Sequence, residues 1–563
     1  MKRILKIFHS EVPNINQAAL LLGLFSLISQ LLGLVRDRSL AHFIGVGSDL
    51  DIYYAAFRIP DFIFVSFASL FTISALLPFL SKKISADKDN QNNFLSQSFF
   101  NNAFSLCLYM MIGVSIIFFF LMPWLVKISF TGFSPEAVAK TVSLSRIMLL
   151  SPILLGLSNL FGSITLFFKK FFIFALCPIF YNIGILLGIL FLYPKFGIFG
   201  LVIGVVFGAF LHFLIQIPVL IKHKFHVRLL TKLDMIEMKN LFKVSLPRTA
   251  GLALYNITVL ILISMASLIS SGSISVFNFA FNLYTTPIFI IGTSYSVAAF
   301  PTLAALFSKN QIKDFSLQVM SAVRQIIFWS MPCIALFVVL RAQIVRVILG
   351  TGKFNWDDTR LVAAMLAVFA LSVVAQSLNT LLVRAFYAAG DTWRPLWINL
   401  SSSVFIVVIA KILVSTFNNN FVFRDFIEQI FRVSGVGGTT ILMLGLAFSL
   451  GLILNFFLLW FFFEKNFSRQ FNFKISKTFW QSFLASVAIG VVSYYGLNIF
   501  ANIFDLNTFL GIFMQGVLAG GIGILVGVLV LFLMRSEELI DTIAALRTKF
   551  WKIKVTPAPQ EEL

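Results

Sequence analysis

The chain has 563 residues, of which 59% are hydrophobic and only 12% are charged, and its formal net charge is +20. This composition excludes an ordinary soluble protein of several domains and predicts an all-α polytopic membrane protein. Nucleic-acid binding would need a folded basic domain, which the sequence does not show, so no nucleic-acid partner is expected.

Apolar stretches of about 20 residues, bounded by charged or turn residues, predict about fourteen transmembrane helices. In chain order they lie near residues 16–35, 52–80, 98–126, 141–168, 172–193, 197–221, 245–271, 276–307, 322–349, 361–388, 394–416, 438–464, 480–504 and 508–534.

Basic residues concentrate at the N-terminus, in the loops after every second predicted span, and in the C-terminal tail. Because loops rich in Lys and Arg stay on the cytoplasmic side of a membrane, both termini are predicted to be cytoplasmic.

Two polar-marked segments recur about 220 residues apart. The Ala-Phe-Arg of residues 56–58 returns as the Ala-Phe-Asn of 280–282, and the Pro-Ile-Phe-Tyr-Asn of 178–182 returns as the Pro-Leu-Trp-Ile-Asn of 395–399. Repeats of this kind indicate a transporter built from two related halves. The predicted architecture is therefore two pseudo-symmetric six-helix lobes plus a C-terminal helix pair. The expected divisions are 1–228 for the first lobe, 229–434 for the second lobe up to its fifth helix, 435–470 for the helix that closes it, 471–537 for the terminal pair and 538–563 for a cytoplasmic tail.

The first two spans carry charged side chains where a bilayer disfavours them. Arg36, Arg38 and Arg58 form a cationic group that Asp37 and Asp51 neutralise only in part. Such residues face protein or water, so one interpretation is an anion-attracting cavity. The alternative is that these arginines extend to lipid headgroups at the interface.

The second half offers polar but uncharged groups. Asn278, Asn282 and Thr285 fall on one face of the eighth span, where they serve either a substrate path or helix–helix contacts. Arg248 lies near the start of the seventh span and is interpreted either as a site residue or as an interfacial anchor. The sequence shows no Gly-rich phosphate loop, nucleophile motif or metal-ligand spacing, so catalysis, a metal and a cofactor are not expected.

At several places the chain resembles the MurJ (MviN) family, the lipid II flippases of the multidrug/oligosaccharidyl-lipid/polysaccharide exporter superfamily. The similar segments are residues 30–37, 43–47, 55–60, 246–249, 352–354 and 384–395, the last of which reads Arg-Ala-Phe-Tyr-Ala-Ala-Gly-Asp-Thr-Trp-Arg-Pro.

The resemblance implies a flippase that moves an undecaprenyl-pyrophosphate-linked peptidoglycan precursor from the inner to the outer leaflet of the bacterial cytoplasmic membrane. It also implies contacts with membrane lipids and with cell-wall synthesis proteins. Arg36, Asp37 and Asp51 match the family pattern, whereas family arginines fall at Gln30, within 64–70 and at Asn282.

The expected substrate-binding residues are Arg36, Asp37, Asp51, Arg58, Arg248 and Asn282. Because several family arginines are replaced, two alternatives remain at this point. One is export of another lipid-linked oligosaccharide or of small cations, and the other is a non-transporting membrane scaffold descended from a flippase.

Overall fold

The computed structural model describes residues 15–71, 73–89, 94–468 and 475–551, and the regular structure in these ranges is helical, without strands. Within these described ranges, twelve helices are long and apolar enough to cross a membrane, or thirteen when the bent pair Trp356–Ala370 and Val373–Ala388 counts as one span. Each of the fourteen predicted regions contains a helix. The first predicted region lies in the helix Ile15–Phe43. The predicted all-α polytopic fold is confirmed.

Seven helices carry the residues discussed below. They are α1 (Ile15–Phe43), α2 (Ser48–Phe67), α3 (Leu150–Phe167), α4 (Phe171–Leu187), α5 (Ile198–Leu214), α6 (Met235–Ala266) and α7 (Ser273–Pro287). The other α-helices are Ile73–Asp89, Phe94–Ser129, Pro135–Met148, Tyr193–Phe196, Ile217–Lys222, Ser294–Ser308, Ile312–Val339, Arg341–Leu349, Trp356–Ala370, Val373–Ala388, Trp393–Asn419, Phe421–Phe431, Ile441–Phe463, Ile475–Ala501, Phe509–Leu533 and Glu537–Trp551. A 3₁₀ turn follows α2 at Ala68–Phe71, and π-helical turns occur at Gly188–Leu192, Ile288–Thr293 and Glu464–Ser468.

The helices group into two compact units. The first contains the described residues up to Leu283, together with Ile348–Val368 and Asp391–Gly451, and the second contains the rest. The division into two six-helix lobes and a terminal pair stays a prediction.

Helix α1 is longer than the sequence indicated. The predicted span ends at residue 35, where the charged residues begin, but the helix continues to Phe43. The charges do not end it because they are satisfied within the protein: Arg36 pairs with Asp37 at 2.9 Å and donates to the side chain of Asn182.

Within the first unit, α4 and its π-helical continuation pack closely against α5 through glycines. A Cβ built on Gly204 would lie 2.5 Å from the Cα of Gly188, and one built on Gly184 would meet the Cα of Gly208. Small residues let transmembrane helices approach backbone to backbone, and the contact then rests on van der Waals packing.

In the second unit, the helices Ile475–Ala501 and Phe509–Leu533 form an antiparallel pair. Gln515 donates to the backbone oxygen of Leu497 at 2.9 Å, and Gly523 faces the side chain of Ser493. At the end of the pair, Glu537 forms an ion pair with Lys477 at 2.9 Å.

We expect Gly204→Ala to lower the free energy of unfolding by about 1–3 kcal/mol, because the added methyl group meets backbone that cannot move aside cheaply. The apparent melting temperature of the purified protein measures the effect. Gly113→Ala is the matched control, since a Cβ there meets nothing within 4 Å. Equal melting temperatures for the two variants would contradict the close contact between α4 and α5.

Candidate functional site

Arg36 and Asp37 are adjacent on α1 and form an ion pair. The Arg36 Nε donates to the Asp37 Oδ1 at 3.0 Å, and the Arg36 Nη1 donates to the Asn182 Oδ1 of α4 at 3.4 Å. The Asn182 amide is oriented by donating to the Ser29 Oγ at 3.3 Å. The Arg36 side chain stays 24% exposed whereas that of Asp37 is only 4% exposed. The guanidinium therefore keeps an accessible surface while its position is fixed.

The second oxygen of Asp37 connects α1 to α7. The Asn282 Nδ2 donates to the Asp37 Oδ2 at 2.9 Å. Asn182, Arg36, Asp37 and Asn282 thus form one hydrogen-bonded chain across three helices.

Arg58 on α2 reaches the same face of α7. Its Nη2 donates to the Oδ1 of Asn278, and the Asn278 Nδ2 donates to the backbone oxygen of Ile274 at 2.7 Å, which fixes the amide. Asn278 and Asn282 are four residues apart and lie on one helical stripe. That stripe therefore holds polar groups from both α1 and α2.

Two buried polar atoms beside this stripe have no hydrogen-bond partner in the described part of the chain. They are the Nε of Arg58 and the hydroxyl of Tyr54, which lies one turn earlier on α2. Such a group costs about 1–3 kcal/mol when it stays unsatisfied, and each case in a native protein calls for an explanation.

Asp51 lies near the start of α2 and caps the N-terminus of α7. Its Oδ2 accepts from the backbone N–H of Gly272 at 2.7 Å, and its Oδ1 accepts from the backbone N–H and the hydroxyl of Ser275 at 2.7 and 2.6 Å. The residue is only 3% exposed. A carboxylate at a helix N-terminus satisfies free N–H groups and interacts favourably with the helix dipole. The geometry gives Asp51 the task of joining two helices.

Arg38 and Arg248 lie apart from this stripe. Arg38 donates to the backbone oxygen of Ile348 at 3.2 Å. Arg248 is an exposed residue of α6. The residue after it, Thr249, accepts a hydrogen bond from Ser69. Ser69 lies eleven residues beyond Arg58, which corresponds to about 16 Å along a helix. Of the six predicted site residues, the structure gathers Arg36, Asp37, Arg58 and Asn282 along the stripe, with Asp51 at the start of α7 and Arg248 elsewhere.

Sequence reasoning missed Asn182, Tyr54 and Asp61 as candidates. Asp61 follows Pro60 near the middle of the span Ser48–Phe71 and is exposed. An acidic residue at the centre of an apolar span is a signal that could have drawn attention to it. Asn182 ends one of the repeated segments, but the repeat does not show that it contacts Arg36, and Tyr54 has no comparable signal.

Taken together, the stripe presents two guanidinium groups, one neutralising carboxylate and two amides. The Asp51 carboxylate is occupied by hydrogen bonds from Gly272 and Ser275. Two guanidinium groups, of which that of Arg36 belongs to a side chain that is partly exposed, are suited to an anion that carries several acceptor oxygens, such as a phosphate.

Comparisons with known proteins support the resemblance. The family model described as Lipid II flippase MurJ matches residues 40–515. A relative from Rickettsia prowazekii, named a probable lipid II flippase MurJ, is 27% identical over 443 residues, which is 77% of this chain and 83% of the relative. A relative of the same name from Thermotoga maritima is 27% identical over 448 residues, 75% of this chain and 89% of the relative.

Solved structures share the fold. A lipid II flippase MurJ in an inward closed conformation matches with a TM-score of 0.71 and 22% identity, over 93% of this chain and 100% of that chain. An inward-facing multidrug resistance transporter of the MATE family, from the MOP superfamily, matches with a TM-score of 0.62 and 15% identity, over 78% of this chain and 95% of that chain.

We expect Asp51→Asn to lower the free energy of unfolding by about 1–3 kcal/mol, because an amide offers one acceptor oxygen and turns an N–H group toward another N–H. Thermal unfolding of the purified protein measures the loss. Asp49→Asn, an exposed position on the same helix, removes the same charge without these bonds and should leave the melting temperature unchanged. A loss of the same size in both variants would show that charge alone, and not the cap on α7, is responsible.

Proposed function

The chain belongs to the MurJ family of lipid II flippases, and on this premise we propose that it moves lipid II, the lipid-linked peptidoglycan precursor, from the inner to the outer leaflet by alternating access. A pyrophosphate-linked sugar headgroup cannot cross hydrocarbon unaided, since desolvating its charges costs far more than ordinary binding returns. A protein path with cationic groups removes that cost while the lipid chain stays in the bilayer.

The observation that carries the proposal is the convergence of Arg36 and Arg58 on the stripe of α7. Both guanidinium groups are oriented by asparagine oxygens, and the Nε of Arg58 is left without a partner among the described residues. Charge-assisted hydrogen bonds to phosphate oxygens are about twice as strong as neutral ones. In this proposal Arg36 and Arg58 contact the pyrophosphate.

The remaining site residues have supporting roles in the proposal. Asp37 and Asn282 hold Arg36, Asp51 holds the start of α7, and Arg248 contributes at the other end of α2. Neutral Asn282 replaces a family arginine, so hydrogen-bonding groups take over part of the contact that charge would make.

The proposal also includes a cellular location, a membrane topology and a set of partners. The protein lies in the bacterial cytoplasmic membrane with both termini in the cytoplasm, as the distribution of basic residues indicates. The lobes 1–228 and 229–470 move against each other, and the helix pair within 471–537 is appended to them. Its partners are the undecaprenyl-pyrophosphate-linked substrate, membrane lipids and cell-wall synthesis proteins, and it acts as a transporter, not an enzyme.

Export of another lipid-linked oligosaccharide is the second candidate. Asn282 favours this candidate. A site with fewer arginines still recognises the pyrophosphate that lipid-linked oligosaccharides share, but it offers fewer contacts that would select one particular sugar.

Depletion of the protein tests the assignment. In cells without a redundant flippase, we expect lipid II to become inaccessible to an externally added probe and to accumulate in the inner leaflet. Lipid II that still reaches the outer leaflet, while another lipid-linked oligosaccharide is retained, would replace the leading proposal by the second candidate.

We expect Arg36→Ala and Arg58→Ala each to reduce complementation of a flippase-depleted strain by at least tenfold at equal expression. Each removes a charge-assisted contact of about 1.5–3 kcal/mol, which corresponds to roughly a tenfold to hundredfold effect. Arg38→Ala should be milder, since Arg38 donates to the Ile348 backbone and lies outside the stripe.

Arg146→Ala is a matched control, because Arg146 stacks on the ring of Phe119 and donates to its backbone oxygen. Normal complementation by both Arg36→Ala and Arg58→Ala would show that these arginines interact with lipid headgroups and not with the cargo.

A further inference from the structure

A short amphipathic helix, Phe421–Phe431, follows the spanning helix Trp393–Asn419 in the first unit. The spanning helix has 27 residues, or about 40 Å, which is the thickness of a bilayer with its headgroups. The short helix has 11 residues, or about 16 Å, and cannot cross a bilayer. Asn420 is the only residue between the two helices, and its backbone is extended. The short helix therefore begins at the membrane surface.

Contacts at both ends fix how the short helix lies. At its start, the Asn420 Oδ1 accepts from the backbone N–H of Phe423 at 3.0 Å. The Phe423 ring packs against Phe417, which lies two residues before the end of the spanning helix. At its end, Arg360 donates to the backbone oxygen of Arg432 at 2.9 Å, and a cation there interacts favourably with the helix dipole. The short helix therefore presents one defined side to its surroundings.

The charged side chains of the short helix have partners within the protein. The Glu428 Oε1 accepts from the Arg424 Nε at 2.9 Å and from the Thr439 hydroxyl at 2.7 Å. The Asp425 Oδ2 accepts from the Gln429 side chain at 2.6 Å. These groups do not depend on a ligand for their hydrogen bonds.

Val422, Phe426 and Ile430 recur at every fourth residue and form an apolar row on the short helix. Their exposed fractions are 76%, 58% and 52%, whereas Ile427, on the side that faces the protein, is only 8% exposed. An exposed apolar surface with polar residues beside it marks an interaction site.

The size and the surroundings of the apolar row favour lipid as its partner. A stable protein interface takes about 20–30 residues from each side, whereas the row consists of three. The spanning helix carries a similar row, Val404, Val408 and Ile412, whose side chains are half exposed and face acyl chains in a bilayer. Because a single residue joins the two helices, the apolar row adjoins this lipid-facing surface.

We propose that the short helix lies in the surface of the bilayer, with the apolar row inserted at the boundary between headgroups and acyl chains. Amphipathic helices that lie in this plane bury their apolar face about 5–10 Å deep. The partner of this surface is the lipid itself, and the contact holds the end of the spanning helix at a set depth. The assignment to the outer leaflet rests on the topology proposed above, whereas the insertion does not.

Apolar contact and not charge holds the short helix in this proposal. Residues 421–432 contain two arginines and two carboxylates, so they carry no net charge. Attraction to anionic lipids needs clustered Lys and Arg. The insertion is therefore expected in a neutral bilayer as much as in an anionic one.

Spin labels on single cysteines test the insertion. The labelled variants are Phe426→Cys, in the centre of the apolar row, and the matched control Asp425→Cys, which lies one residue earlier and about 100° away around the helix. The full-length background carries alanine in place of Cys107, Cys177 and Cys333 and is measured in phosphatidylcholine nanodiscs. We expect the label at 426 to collide mainly with oxygen, which dissolves in acyl chains. The label at 425 should collide severalfold more with a water-soluble nickel chelate.

Equal access of the nickel chelate to both labels would overturn the proposal, because the apolar row would then face water. Protection of the label at 426 from both reagents would also overturn it, since a second copy of the chain would then cover the row in place of lipid. Insertion only after phosphatidylglycerol is added would contradict the apolar contact, because charge would then hold the helix. Monodisperse elution establishes that each variant is folded. The cargo is absent from these measurements, so their failure would leave the flippase assignment intact.

Discussion

A charged side chain inside a membrane protein must find its partner within the protein, because hydrocarbon offers none. This requirement organises the first unit. Asp37 joins α1 to α7 through Asn282, Asp51 joins α2 to α7 through Gly272 and Ser275, and Arg58 joins α2 to α7 through Asn278. The same polar groups that could meet a charged ligand therefore also hold these three helices together.

The fold and part of the site could be predicted from the sequence because both leave local signals. A run of about 20 apolar residues marks a span wherever it occurs, and all fourteen predicted regions contain helices. Arg58 and Asn282 stood out through the repeat, and Arg36 and Asp37 stood out because charge is rare at membrane depth. The end of α1 was misplaced by eight residues, from 35 to Phe43, because a charge ends a span in sequence but not a helix whose charges are paired.

The remaining features depend on which helices meet, and periodicity carries no information about that. Asn182 and Arg36 are 146 residues apart, and Asp51 and Ser275 are 224 apart. The sequence could not show that Asp51 has three donors at the start of α7, nor that Arg248 is associated with the opposite end of α2. Asp61 was predictable in principle, because an acidic residue near the centre of an apolar span is a local signal.

The hydrogen bonds of Arg36 connect the proposed binding of a phosphate to the contact between α1 and α7. Its guanidinium donates to Asp37 and Asn182, and Asp37 accepts from Asn282 of α7. In the proposed function, a phosphate that accepts hydrogen bonds from Arg36 would weaken the ion pair between Arg36 and Asp37, and this would alter the hydrogen bond between Asp37 and Asn282 that joins α1 to α7. A ligand shifts a conformational equilibrium only through such a difference in interaction between two states. A cation at position 282 would repel Arg36, whereas the neutral Asn282 donates a hydrogen bond to Asp37. A hydrogen bond to a charged group contributes about 1.5–3 kcal/mol, an amount that the charge-assisted contacts of a bound phosphate can match during the proposed transport cycle.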